Sequence, residues 1–164
     1  MTMAELNQLD RTGFVGAIGW VFEHSHWVAE RAFECRPFAS LDALHAAMAE
    51  QVERATFADR LALLKAHPDL GTRARLSTAS SQEQAGAGLD SLTPAEFERL
   101  HRLNAAYRTR FGFPFLLAVK GSTKHDILRA LQARMESSPE DEFSEALRQV
   151  YRIARFRLED LIAS

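Results

Sequence analysis

Apolar residues recur at helical spacing along most of this chain, and polar starter residues mark where each run begins. Thr2 with Glu5 has capping-box spacing and opens a short helix through Leu6 and Leu9. Further helices are predicted over about Gly13 to Phe22 and Trp27 to Glu34. Pro37 breaks the chain, and Ser40 caps a helix carrying Leu41, Leu44, Met48 and Val52. Phe57, Leu61 and Leu64 lie on the next helix, which Pro68 forces to end at His67, because a residue before proline is held extended. Asp69 to Ala79 read as a polar loop, and Ser80 with Glu83 again has capping-box spacing. Thr93-Pro94-Ala95-Glu96 starts a helix that presents Phe97, Leu100, Leu103, Asn104 and Tyr107. The run from Phe111 to Val119 is apolar without helical period and reads as a buried extended segment. Thr123 opens a helix to about Met135, and Ser138-Pro139 opens a long final one to about Ile162. The pattern predicts an all-α protein, one compact bundle-like domain over residues 1–164 with seven to nine helices.

Certain polar residues interrupt this pattern where chemistry is plausible. His67 sits at a helix C-terminus, where the dipole favours the protonated imidazole. It is either a cap on last-turn carbonyls or an acid-base group, with Asp69, Glu83 and Gln84 as polar partners nearby in sequence. Glu83 is either the second half of a capping box or an acid facing His67. The small residues Ala85-Gly86-Ala87-Gly88 after it would let a ligand or a second backbone approach closely. Arg157 falls on the apolar stripe Phe143, Leu147, Val150, Ala154, Leu161 of the last helix. A buried guanidinium needs a partner, either an internal carboxylate or a substrate carboxylate held in bidentate fashion. Arg155 reads as a solvated charge. An extended Phe111–Val119 segment interrupted by Pro114 leaves main-chain groups that must be paired or offered to a ligand.

Composition narrows the function classes. With 20 basic and 22 acidic residues the net charge is -2, so no basic field exists to hold nucleic acid or an anionic membrane. No apolar run reaches the ~20 residues of a membrane span, and no signal-peptide pattern begins the chain. Cys35 is the sole cysteine and is expected to be a small buried apolar residue, which fits a reducing cytoplasm. Ile162-Ala163-Ser164 is not a peroxisomal address. Glu23-His24-Ser25-His26 lacks metal-ligand spacing on one helix face and reads as solvated helix-end histidines rather than a zinc site. Phosphate-cradling, dinucleotide and nucleophile-elbow motifs are absent.

Taken in order, several motifs carry a resemblance: Phe22-Glu23-His24-Ser25 with Trp27; Arg36-Pro37-Phe38; His67-Pro68-Asp69-Leu70-Gly71; and Ser80-x-x-Glu83-Gln84-x-x-Ala87-Gly88-Leu89. Asn104-x-x-Tyr107-x-x-Arg110-Phe111-Gly112-Phe113-Pro114-Phe115 and Ile153-Ala154-Arg155-Phe156-Arg157-Leu158 complete the series. The chain resembles the OHCU decarboxylases, which convert 2-oxo-4-hydroxy-4-carboxy-5-ureidoimidazoline (OHCU) into (S)-allantoin and carbon dioxide during urate degradation. His26 stands where that family often has proline, and Arg110 where lysine is common. The resemblance implies an all-helical, cofactor-independent lyase of the cytoplasm, usually a homodimer, acting on a small molecule. It implies His67 as the catalytic histidine and Glu83 as its acidic partner. Pro68, Ser80, Gln84 and Arg157 would contact the substrate, and main-chain groups near Leu117 and Val119 would hold its ring amides. A non-catalytic helical module that binds a carboxylated purine-derived ligand through Arg157 and His67 is the alternative from another class. Such a module would bind without accelerating loss of carbon dioxide.

Overall fold

Side-chain caps set the starts of most helices. The computed structural model describes residues 1–72 and 77–163. Among them are nine α-helices and no strand, with one isolated bridge between Thr2 and Ala163. The chain divides into two compact units, one holding Met1–Ala66 with the segment from Tyr151 onward, the other His67–Val150.

The first unit contains α1 (Met3–Gln8), α2 (Arg11–Ile18), α3 (Trp27–Ala32), α4 (Leu41–Arg54), α5 (Phe57–Lys65) and the last part of α9 (Pro139–Leu161). Thr2, Asp10, Ser40 and Thr56 each accept a hydrogen bond from an amide three residues on, which satisfies donors that the first turn leaves open. Leu44, Met48 and Val52 form a fully buried stripe on α4, in a core with Leu6, Phe14, Ile18, Phe22 and Val28. Helices α2 and α3 end earlier than the periodicity predicts, each tightening into a 3-10 turn, Gly19–Val21 and Phe33–Cys35. The second of these turns Cys35 outward. It is exposed, contrary to expectation, with its Sγ 3.7 Å from Gln51 Nε2. Arg155 is not simply solvated; it is half-buried and bridges Asp42 and Glu159.

The second unit contains α6 (Thr78–Gly86), α7 (Pro94–Phe111), α8 (Lys124–Arg134) and the first part of α9. Thr93 and Thr123 cap α7 and α8 where the sequence predicts helix starts, and both caps are full capping boxes, with Glu96 and Asp126 at the third position. Lys124 on α8 pairs with Glu96 on α7 at 2.7 Å, and this hydrogen bond is the main reason the Glu96 carboxyl is held down at about 2. Phe113 and Phe115 each pack edge-to-face on buried Tyr107, with Phe111 against Tyr107 and Phe143 against Phe113. The Tyr107 hydroxyl donates to Glu142, and burial together with this bond pushes its ionisation far above the usual range. On α9 the buried stripe runs through Leu147, Val150, Ala154 and Leu158; Leu161 is half-exposed instead. Among the described residues no helix is long and apolar enough to cross a membrane.

Candidate active site

Helix α5 stops at Lys65, with Ala66 as its cap, and His67 follows at 6% exposure. The helix thus ends two residues before His67, the position that Pro68 restricts. The chain after His67 is held by α7 in steps of one helical turn. Leu100 packs on Gly71, Asn104 Nδ2 donates to Leu70 O at 2.9 Å, and Arg108 pairs with Asp69 at 2.9 Å. Gly71 has φ +74, and a Cβ there would lie 2.5 Å from Leu100 Cδ2, so no other residue fits this turn without displacement. Asp69, expected as a polar partner for His67, is therefore directed to Arg108.

Helix α6 corrects the reading of Ser80 and Glu83. The cap is Ser77, whose hydroxyl accepts from Ser80 N at 3.1 Å. Ser80 lies inside the first turn, 5% exposed, and Glu83 is half-buried in mid-helix, so their spacing is not that of a capping box here. Ser80, Glu83 and Gln84 share one helix face, because positions three and four apart are neighbours. Gln84 links that face to the His67 loop, its Oε1 accepting from Gly71 N at 2.9 Å. Among the described residues no second backbone approaches the glycines that follow, and the space beside them is open. A Cβ on Gly86 would meet nothing within 4 Å, and on Gly88 only Ser91 Oγ at 3.8 Å. Gly88 instead supplies the left-handed residue, φ +83, that ends the helix, while Leu89 N bonds back to Gln84 O at 2.9 Å.

His67, Pro68, Ser80, Glu83, Gln84, Leu117 and Val119 thus all belong to the second unit. Residues 114–119 run without helix, turn or bend and are buried except for half-buried Leu117. The non-helical segment expected from Phe111 begins later, because Phe111 is the last residue of α7 and Gly112 its left-handed cap. Arg157 belongs to the first unit. It is 3% exposed, and its Nη2 lies 2.8 Å from Glu23 Oε2, with Nη1 donating to Trp20 O and Val21 O. Glu23, at 2% exposure, is the residue that the sequence reading missed. It stands beside exposed His24 and His26, yet its carboxylate holds a buried guanidinium. The one available signal was an acid directly after buried Val21 and Phe22. Among the described residues no group of three potential ligands could hold a metal ion.

The loop, the polar face of α6 and the buried segment can be set beside known proteins. The family model for OHCU decarboxylase matches residues 7–159. A 2-oxo-4-hydroxy-4-carboxy-5-ureidoimidazoline decarboxylase of Haloferax volcanii is 47% identical over all of this chain and 98% of its own length. A uric acid degradation bifunctional protein of Bacillus subtilis is 51% identical over 98% of this chain, which spans 33% of that relative. Among solved structures, an (S)-allantoin synthase superposes with a TM-score of 0.82 at 37% identity, over 99% of this chain and 54% of that one. The chain belongs to the OHCU decarboxylase family.

Proposed function

We propose that this chain decarboxylates OHCU to (S)-allantoin, with His67 as the acid-base group and Glu83 as its acidic partner. The observation that carries the reading is the end-to-end similarity to the Haloferax decarboxylase. A buried histidine on a braced loop, in one unit with the Ser80-Glu83-Gln84 face, supports it. The substrate carries hydroxyl and carboxylate on C4, next to the C5=N bond of its ring. When the C4–carboxylate bond breaks, its electron pair moves into the C4–C5 bond and the imine nitrogen takes up a proton. The resulting enol then loses its hydroxyl proton as another is delivered to C5, so one proton is consumed overall. The imine is its own electron sink, and this chemistry calls for no metal or organic cofactor.

Each candidate residue has a place in that scheme. Arg157, oriented by Glu23, anchors the departing carboxylate. His67 engages the C4 hydroxyl and carboxylate and moves protons, and Glu83 stabilises the imidazolium. Pro68 shapes the pocket wall, while Ser80 and Gln84 take the ureido and hydroxyl groups. Main-chain groups of Leu117 and Val119 hold the ring amides. Protonation of C5 from one face only makes the product chiral. We place the protein in the cytoplasm as a homodimer, for which sedimentation equilibrium is expected to give twice the chain mass of 18.4 kDa.

The test is circular dichroism of OHCU freshly generated from urate. With the protein present, the (S)-allantoin signal is expected to appear far faster than spontaneous decay, which gives racemic product. Decay at the spontaneous rate to optically inactive allantoin would demote the chain to a binding module.

A further inference from the structure

The segment from Pro114 to Val119 is pinned from one side at two points. The guanidinium of Arg134 donates to Leu116 O, and its Nε and Nη2 hold Glu142 at 2.6 and 2.5 Å. Two residues on, Ala118 N–H donates to Gln149 Oε1 at 3.0 Å. Gln149 is itself only 3% exposed, and its Nε2 donates to Glu145 Oε1 at 2.9 Å. A carboxylate can only accept, so Glu145 fixes which end of the Gln149 amide turns to the segment. Beyond Ala118, Val119 O accepts from Ser122 N at 2.9 Å.

Leu117 lies between the two pinned residues. Among the described residues neither its N–H nor its C=O has a hydrogen-bond partner. In a straight, non-helical chain successive residues direct their peptide groups to opposite sides, as in a strand. The Leu116 carbonyl and the Ala118 amide then point together toward Arg134 and Gln149, and both polar groups of Leu117 point the other way. A donor and an acceptor side by side match the edge of a cyclic amide, whose own C=O and N–H are adjacent.

We infer that Gln149, with Arg134, is a positioning residue for substrate recognition: it locks Ala118 so that Leu117 presents its N–H and C=O as a fixed reader of a ring-amide edge. The inference rests on the substrate contact proposed for Leu117 above. Its effect is on binding, common to ground state and transition state, so it shows in KM and not in kcat.

The experiment pairs Gln149→Met kinetics with amide NMR of the wild-type protein, using (S)-allantoin as the probe. Gln149→Met keeps length and removes the acceptor. KM for OHCU and Ki for (S)-allantoin are expected to rise about tenfold, the scale of one lost hydrogen bond, with kcat within about twofold. A folded Gln149→Met protein with lowered Tm but wild-type KM and Ki would make the residue merely structural and overturn the inference. Should that variant not fold, the wild-type spectra decide. The Ala118 amide is expected to be protected from exchange without ligand, and the Leu117 amide to shift when (S)-allantoin is added. An unprotected Ala118 amide overturns the pin. A protected Ala118 with a Leu117 amide indifferent to (S)-allantoin instead removes the substrate contact proposed for Leu117.

Discussion

Replacing His67 by Asn is expected to return OHCU decay to its uncatalysed rate while leaving a folded protein. Asn is close in shape to imidazole and keeps hydrogen-bonding capacity, yet neither gains nor loses a proton near neutral pH. The bonds that hold the loop in place run through the neighbouring residues, from Gln84 to Gly71, Asn104 to Leu70 and Arg108 to Asp69. They survive the substitution, so what is lost is proton transfer, a contribution of about 10²–10⁴-fold for a positioned acid-base group. Glu83→Ala should act in the same direction by removing the charge proposed to stabilise the imidazolium. The handedness of the allantoin is the sharper readout, because a slow spontaneous background still gives product. Near-normal turnover to (S)-allantoin in both variants would sink the assignment of the pair.

What was legible in the sequence was chiefly local. Thr2, Ser40, Thr93 and Thr123 announce helices because a cap is a contact between residues three apart. The same logic misplaces the start of α6, since Ser80-x-x-Glu83 has capping-box spacing while Ser77, the actual cap, has Ser80 and no acid three residues on. The cap went to Ser77, and that choice turns Ser80 and Glu83 from helix-end residues into members of a polar helix face. Gly88 has a further reason to be glycine that its neighbours do not announce, a positive φ at a helix end. The candidate site was legible as a set of motifs, but its bracing was not. Asn104 stands out in the sequence, on an apolar helix face and in a motif, but its partner does not. Gln149 looks like an ordinary polar position of a long helix, and both roles depend on carbonyl and amide groups far away in the chain. Glu23 shows the same limit most clearly, because an acid followed by His24 at a turn gives no sign of burial until Arg157 is placed against it.

That pair carries the largest stability effect expected in the molecule. Glu23→Ala leaves the Arg157 guanidinium buried without its carboxylate, and removal of one partner of a buried ion pair costs about 3–5 kcal/mol. For a chain of this size that is a drop in Tm of the order of 10 °C, readable by thermal denaturation. A loss below about 1 kcal/mol would mean that the pair behaves as an exposed one and is not desolvated. The double variant Glu23→Leu with Arg157→Met then separates architecture from chemistry. Replacing both charges by apolar groups of similar size removes the desolvation cost along with the attraction, so stability should return to near or above the wild-type value. Turnover of OHCU should nevertheless be lost, because the carboxylate anchor proposed for Arg157 is gone. A double variant that recovers both stability and rate would confine Arg157 to a structural role and leave the carboxylate anchor to another residue.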